Sequence, residues 1–184
     1  MSAVAEPDRI IRTTRLRGEP LRLDDFDSIR LLESDPEVQK TIFGIVRSAE
    51  ETRERLERFV AAWDEQGFGQ WAFHLIDGEF VGTCGLFAGR LPDFDGLEVG
   101  YMVRPQYWGR GLATEMTSAV MRFAFETLQT PAVGAMLIPD NLASIRVLEK
   151  CGLRRGKDIL YSGDSPSAFF ALSRDEWLRG AIVQ

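Results

Sequence analysis

Residues 98–115 read EVGYMVRPQYWGRGLATE, from Glu98 to Glu115. Val99, Tyr101, Met102 and Val103 make an apolar run that reads as a buried strand, and Pro105 ends it. Gly109 and Gly111 then lead straight into a helical pattern that opens near Ala113. Strand, glycine loop and helix in this order present bare backbone N–H groups to an anion. Glycine permits close approach, and the first helical turn adds unpaired donors and the positive end of the dipole. The stretch therefore points to a phosphate-bearing ligand. A Walker-type loop needs Gly-Lys-Ser/Thr, and no Lys occurs between Gly44 and Gly134. The dinucleotide fingerprint needs a third Gly or Ala where this chain has Thr114, and it follows a first strand rather than lying past the middle.

A second stretch supports the same end. Ala132 to Ile138 is a strand-like apolar run, Pro139-Asp140-Asn141 is turn chemistry, and a helical pattern follows to Gly152. Asn141 is placed to cap that helix. Trp108-Gly109-Arg110-Gly111-Leu112-Ala113 resembles the Gln/Arg-x-x-Gly-x-Gly/Ala loop with which GNAT acyltransferases wrap the pyrophosphate of acetyl-CoA. Gly111 and Ala113 match, and Trp108 stands where Gln or Arg is usual. With the following Ala113-Thr114-Glu115, that replacement looks like the RimJ/RimL-like branch of ribosomal-protein N-terminal acetyltransferases. Asn141 to Leu153 is similar to the GNAT segment Asn-x-x-Ser/Ala-x-x-x-(Tyr/Leu)-x-x-x-Gly-Phe, and the resemblance runs from about Arg15 to Leu172.

The resemblance implies a co-substrate, acetyl-CoA, and a set of residues that meet it. The backbone of Met102, Val103 and Arg104 would pair with the pantetheine amides, while Trp108, Gly109, Arg110, Gly111, Leu112, Ala113 and Thr114 would cradle the pyrophosphate. Asn141 would contact the pantetheine arm as well as cap its helix, and Arg110 and Arg146 could reach the CoA phosphates. Gly100, mid-strand, marks a bulge, a close backbone approach or simply a packing glycine, and by the resemblance an N–H near a bulge there would polarise the thioester carbonyl.

Acetyl transfer to an amine needs a base for the ammonium proton and a donor for the leaving thiolate. Glu98 is the candidate base, a carboxylate on the strand expected to line the thioester; Glu115 is a weaker one, since the helix dipole already accounts for it. Many relatives carry Tyr at the position of Leu148, so Ser144 becomes the candidate donor, with Tyr101 or Tyr161 as substitutes whose hydroxyls the sequence does not place. Cys84 has no His or cationic neighbour in sequence, which favours direct transfer in a ternary complex over an acyl-enzyme. His74, the lone histidine, reads as structural. The rival function is a CoA-binding sensor or interaction module without catalysis. A longer acyl group is a further alternative.

Composition sets the rest. A chain of 184 residues, 45% hydrophobic and 27% charged, suits one domain. The expected layout is a flexible end over residues 1–12 and one domain over 13–184. No membrane span or leader is expected, and Cys84 and Cys151 have no metal or redox spacing, so we expect a cytoplasmic protein without metal. A net charge of −6 argues against nucleic acid and mildly favours a cationic acceptor such as an amine, either a protein N-terminus or a small molecule. A homodimer is compatible with exposed strand edges.

Early helices follow a first strand or strand pair at Leu16, Leu21 and Leu23; Asp24 or Asp25, Asp35 and the Ser48-x-x-Glu51 capping box start them. Alternation from Trp71 to Leu75, the Asp77-Gly78 turn and Phe80 to Phe87 read as a hairpin. Met116, Ala119, Val120, Phe123, Ala124 and Leu128 form the buried stripe of the helix after the glycine loop. Ile159, Tyr161 and Phe169 to Leu172 close the sheet. The whole is an α+β arrangement, a mixed and mostly antiparallel sheet flanked by helices, with the acceptor pocket expected between the early helices (around Phe43 and Trp63) and the closing strands.

Overall fold

The computed structural model describes residues 9–42, 45–89, 94–160 and 166–181. Two short strands, β1 (Ile11–Arg12) and β2 (Leu16–Pro20), precede three helices, α1 (Phe26–Glu33), α2 (Pro36–Lys40) and α3 (Ala49–Gln66). A meander of β3 (Gln70–Leu75), β4 (Phe80–Ala88) and β5 (Leu97–Val103) leads to α4 (Leu112–Arg122), β6 (Ala132–Leu137) and α5 (Leu142–Lys150). Then come β7 (Arg154–Arg155), β8 (Ile159–Leu160), β9 (Pro166–Ser173) and α6 (Arg174–Ala181). The strands lie in the order β1-β2-β3-β4-β5-β6-β9-β7, with β8 beside β9. The one parallel pair among them is β5–β6. This is the expected mixed, mostly antiparallel sheet flanked by helices.

Local chemistry sets the element ends. Ser48 Oγ accepts from Glu51 N–H at 3.2 Å while Glu51 Oε2 accepts from Ser48 N–H at 2.7 Å, so both orphan donors at the start of α3 are met. The same reciprocal pairing of Ser173 and Glu176 opens α6. Four expectations change. Trp71 Nε1–H donates to Arg9 O at 2.7 Å and Ile11 is buried, so Arg9 to Arg12 belong to the folded body rather than to a loose end; Met1 to Asp8 lie outside the described residues. Leu23 is exposed in a 3-10 turn rather than in the first strand, and the Asp25 carboxylate accepts from Arg22 N–H instead of capping α1. After Arg122 the chain widens into a π-helical turn, Phe123–Thr127, with Leu128 N–H donating to Phe123 O. The extra residue in that turn brings Phe125 into the core beside Phe123 and Ala124, which a regular helical period does not anticipate. Lastly, the β4–β5 ladder runs without a bulge through Gly85 and Gly100; the irregularity lies between Phe73 and His74 of β3.

The sheet has two covered faces. Trp71, Phe73, Cys84, Val99 and Val103 pack against α4 and α5 residues such as Met116, Val120 and Leu148. Ala72, Phe80 and Met102 pack on the other face against Ile29, Leu32, Val38 and Leu56 of the early helices. Alternation along β5 therefore sends Val99, Tyr101 and Val103 to the α4–α5 side and Glu98, Gly100 and Met102 to the α1–α3 side.

Candidate active site

The glycine loop is shaped by torsion rather than by crowding. Gly109 (φ 71°) and Gly111 (φ 75°) are both left-handed, and a Cβ on Gly109 would meet nothing within 4 Å. Gly111 is the N-cap of α4 and has no side chain to cap it. The first bond along that helix is Glu115 N–H to Gly111 O at 3.1 Å, so the N–H groups of Leu112, Ala113 and Thr114 have no partner among the described residues. The N-terminal hairpin holds this loop from behind. Thr13 Oγ1–H donates to Glu115 Oε1 at 2.6 Å, Arg15 N–H to the same oxygen at 2.9 Å, and Arg15 Nε–H to Oε2 at 2.6 Å. Arg15 Nη1–H also reaches Arg110 O at 2.8 Å. Burial pushes the Glu115 carboxyl up, but these donors outweigh it and hold it below the usual carboxylate range. Glu115 is thereby a structural carboxylate of the loop. Trp108 pins the front, its Nε1–H donating to Val103 O at 2.7 Å.

β5 and β6 pair only at Leu97–Val133 and Glu98–Gly134, and beyond that they part. Arg104 N–H donates to Val81 O at 2.9 Å, within the sheet. Alternation along the antiparallel edge then directs the backbone groups of Met102 toward β4 and those of Val103 and Tyr101 into the gap. The edge expected from Met102 to Arg104 is thus narrowed to Val103 and extended to Tyr101.

The gap opens into a cavity of about 480 Å³. Its floor is Gln70 of β3, Thr83 and Phe87 of β4, and β5 from Glu98 to Met102. One wall is β6 from Ala135 onward with Ser144 and Leu148 of α5, and the roof includes Gln39, Ile42, Arg47 and Arg55 from the early helices and their connection. The two candidate catalytic residues, Glu98 and Ser144, therefore share one cavity, and Met102 lines it too. The loop Trp108 to Thr114 lies outside it, at the start of α4. The expected pocket position is corrected in two respects. Trp63 is buried in the core, edge-on to Trp71 with centroids 4.6 Å apart, and donates through Nε1–H to Gln70 O; it does not face the cavity. The floor comes from β3–β5 instead of the closing strands, because the sheet opens at β5–β6. Phe43 and Tyr161 lie outside the described residues.

Glu98 is 8% exposed, a nearly buried carboxylate in the cavity floor. Ser144 sits in the first turn of α5, where Asn141 Oδ1 accepts its N–H at 3.0 Å. That bond leaves the Ser144 hydroxyl available to the cavity. The Tyr101 hydroxyl is buried without a hydrogen-bond partner among the described residues. Burial pushes this phenol up and keeps it protonated, while the nearby Ser144 hydroxyl acts in the opposite direction without meeting bonding geometry. Leu148 fills the wall where a tyrosine would supply a hydroxyl, and Tyr101 brings one to the same side of the sheet from β5.

The other candidates separate cleanly. Asn141 caps α5 and donates through Nδ2–H to Thr41 O at 2.8 Å. Arg146 is exposed on α5, and Arg110 lies over the Tyr107 ring at 5.5 Å. Cys84 is fully buried and burial pushes its thiol up, the opposite of an activated nucleophile. His74 stacks obliquely on Phe80 and does not line the cavity. Among the described residues no cluster of side chains could hold a metal ion. Sequence reading missed Gln70, Thr83, Arg47 and the Thr13–Arg15 clamp. Gln70 alone left a trace, a polar residue opening a strand pattern that is otherwise apolar.

These features match known proteins. The family described as "Acetyltransferase (GNAT) domain" matches residues 15–154. The chain is 33% identical to the uncharacterized protein YkkB of Bacillus subtilis, over 70% of this chain and 75% of that one. It is 30% identical to the FsC-acetyl coenzyme A-N(2)-transacetylase of Aspergillus fumigatus, over 97% and 81%. Its fold is similar to that of RimL, a ribosomal alpha-N-protein acetyltransferase solved in complex with coenzyme A: TM-score 0.77, 17% identity, 91% and 99% of the two chains.

Proposed function

Because the chain belongs to the GNAT acetyltransferase family, whose enzymes use acetyl-CoA, we propose that it moves the acetyl group directly to a primary amine held in the β5–β6 cavity. The observation that carries this is the meeting of Glu98 and Ser144 in one cavity where the two strands part. Two left-handed glycines, an uncapped helix start and the free edge of β5 fit an extended, phosphate-bearing thioester. Glu98 takes the ammonium proton as the amine nitrogen forms its bond to the acetyl carbon. The carbon–sulfur bond breaks, the nitrogen gives up its second proton to the departing thiolate as the amide forms, and the Ser144 hydroxyl, with the protonated Tyr101 beside it, stabilises that thiolate until it is protonated. Within this reading, Trp108 and the following Ala113-Thr114-Glu115 support the RimJ/RimL-like branch, with either a protein N-terminus or a small amine as acceptor. It includes a cytoplasmic enzyme formed of one domain that starts by Arg9, alone or as a homodimer.

Thiol release from acetyl-CoA, measured against N-terminal peptides, polyamines, aminoglycosides and amino acids, tests the proposal, with CoA binding measured in the same buffer. Turnover with one class supports it; absence of CoA binding overturns it. Leu148, in place of a tyrosine, favours a second reading as a CoA sensor without catalysis. Binding without turnover on any class would favour that second reading.

A further inference from the structure

The cavity roof holds two arginines that the protein treats differently. Arg55 Nε–H donates at 2.7 Å to Glu33 Oε1, on a side chain with no exposure, so Arg55 serves as counter-ion to a buried carboxylate. Arg47 meets neutral groups instead: Gln39 Oε1 at 3.2 Å and, more loosely, Ile45 O at 3.5 Å. Glu51 feels its charge, but that carboxylate closes the α3 cap by accepting from Ser48 N–H.

Arg47 is nonetheless firmly positioned. Its backbone N–H donates to Glu33 O at 3.0 Å, and its carbonyl accepts from Arg30 Nη1–H at 2.8 Å. Gln39, 2% exposed, is itself fixed by donating from Nε2 to Leu32 O at 2.9 Å. A guanidinium seated on a buried carboxamide, anchored on both sides of its backbone and facing a cavity without an ion-pair partner among the described residues, has the construction of an anion receptor.

The floor offers the complementary chemistry. Among the described residues Thr83 Oγ1 and Gln70 Oε1 are buried without hydrogen-bond partners, on the same face as Glu98. Gly85 makes the room, since a Cβ there would come within 2.5 Å of Gln70 Cγ. Oxygens on the floor suit the N–H donors of an ammonium, and Arg47 in the roof suits a negative group.

We propose that the acceptor is a small amine that also carries a compact anionic group, carboxylate or phosphoryl, with its amine directed to Glu98 and its anion received by Arg47. This rests on the acetyl-transfer reading. It also reverses, at the site itself, the mild bias toward a cationic acceptor set by the net charge of −6.

The test is a set of matched pairs: L-phenylalanine and its amide, L-glutamine and its amide, 2-aminoethylphosphonate and ethanolamine. Thiol release is followed for the wild type and for Arg47→Gln, with spermidine as a cationic reference. The anionic member of one carboxylate or phosphonate pair should be favoured at least about tenfold in kcat/KM. Arg47→Gln should abolish that preference by raising the acceptor KM about tenfold to a hundredfold, with the acetyl-CoA KM and the melting temperature unchanged. Which pair responds distinguishes carboxylate from phosphoryl. Equal rates within every pair, a better rate with spermidine, or a preference that survives Arg47→Gln overturns the proposal. Absence of thiol release with every amine, while CoA still binds, overturns the enzymatic reading beneath it.

Discussion

The two ends of the site are built by different means. At the start of α4 the proposed anion cradle is backbone: left-handed Gly109 and Gly111, and N–H groups left over by an uncapped helix. In the cavity the chemistry is side chain, drawn from α2, α3, β3, β4, β5 and α5. A cradle of main-chain donors depends on few residue identities and is fixed by torsion angles. A side-chain pocket can be rebuilt one position at a time on the same scaffold. The division suits an enzyme whose donor is constant and whose acceptor varies among relatives.

Substitutions at the two ends should therefore fail in different ways. The largest effect is expected for Glu98→Gln, which should lower kcat about a hundredfold or more while leaving CoA affinity intact. An unchanged kcat would remove Glu98 as the base. Gly111→Ala should do the reverse. Forcing an alanine to φ 75° costs on the order of 1–2 kcal/mol and should weaken CoA binding about tenfold, with little change in acceptor KM. Ser144→Ala and Tyr101→Phe should each lower kcat by about tenfold, and the double variant should be no worse than either alone, because both act on one sulfur. Additive losses would separate their roles.

Glu115→Gln tests the clamp behind the loop through stability. The carboxyl is held below its ordinary value, so its contribution is present above that value and is lost as pH falls through the lowered one. The variant should lose about 1 kcal/mol at neutral pH, a modest figure because Arg15 is half exposed. Its melting temperature should approach that of the wild type in acid. Smallest is Cys84→Ala, which should leave turnover intact since that thiol is buried and not activated. Complete loss of activity with cofactor binding retained would instead establish an acyl-enzyme.

The same division explains what could be read in the chain. Gly109, Gly111, Asn141 and Gly152 answer backbone requirements that act within a few residues, so the loop and the α5 turn were legible, while the arrangement of the surrounding strands came only from the resemblance those motifs carry. The strand carrying Glu98 was also legible from its apolar run. Arg47 was not, because its meaning comes from Glu33, Arg30 and Gln39, up to 17 residues away in the chain, and from a β5–β6 gap that local pattern does not encode. Of the readings open for Gly100, the structure bears out the packing glycine and not the bulge: the ladder is unbroken there and Phe87 lies against it. Trp108 was read as a departure from a ligand loop, whereas its indole secures the loop to β5.

Asn141 joins the α5 wall of the cavity to its roof. Its Oδ1 starts α5 and its Nδ2–H holds Thr41 O, in the connection that roofs the cavity. The partner in that second bond is a main-chain carbonyl, which every amino acid supplies. The residue at position 41 can thus be exchanged without cutting the strap, so this corner of the ceiling can change in sequence while its attachment stays put. Divergence among such proteins would then fall on positions held by main chain, such as 41, rather than on Arg47, whose guanidinium sits on Gln39 and whose carbonyl is held by Arg30.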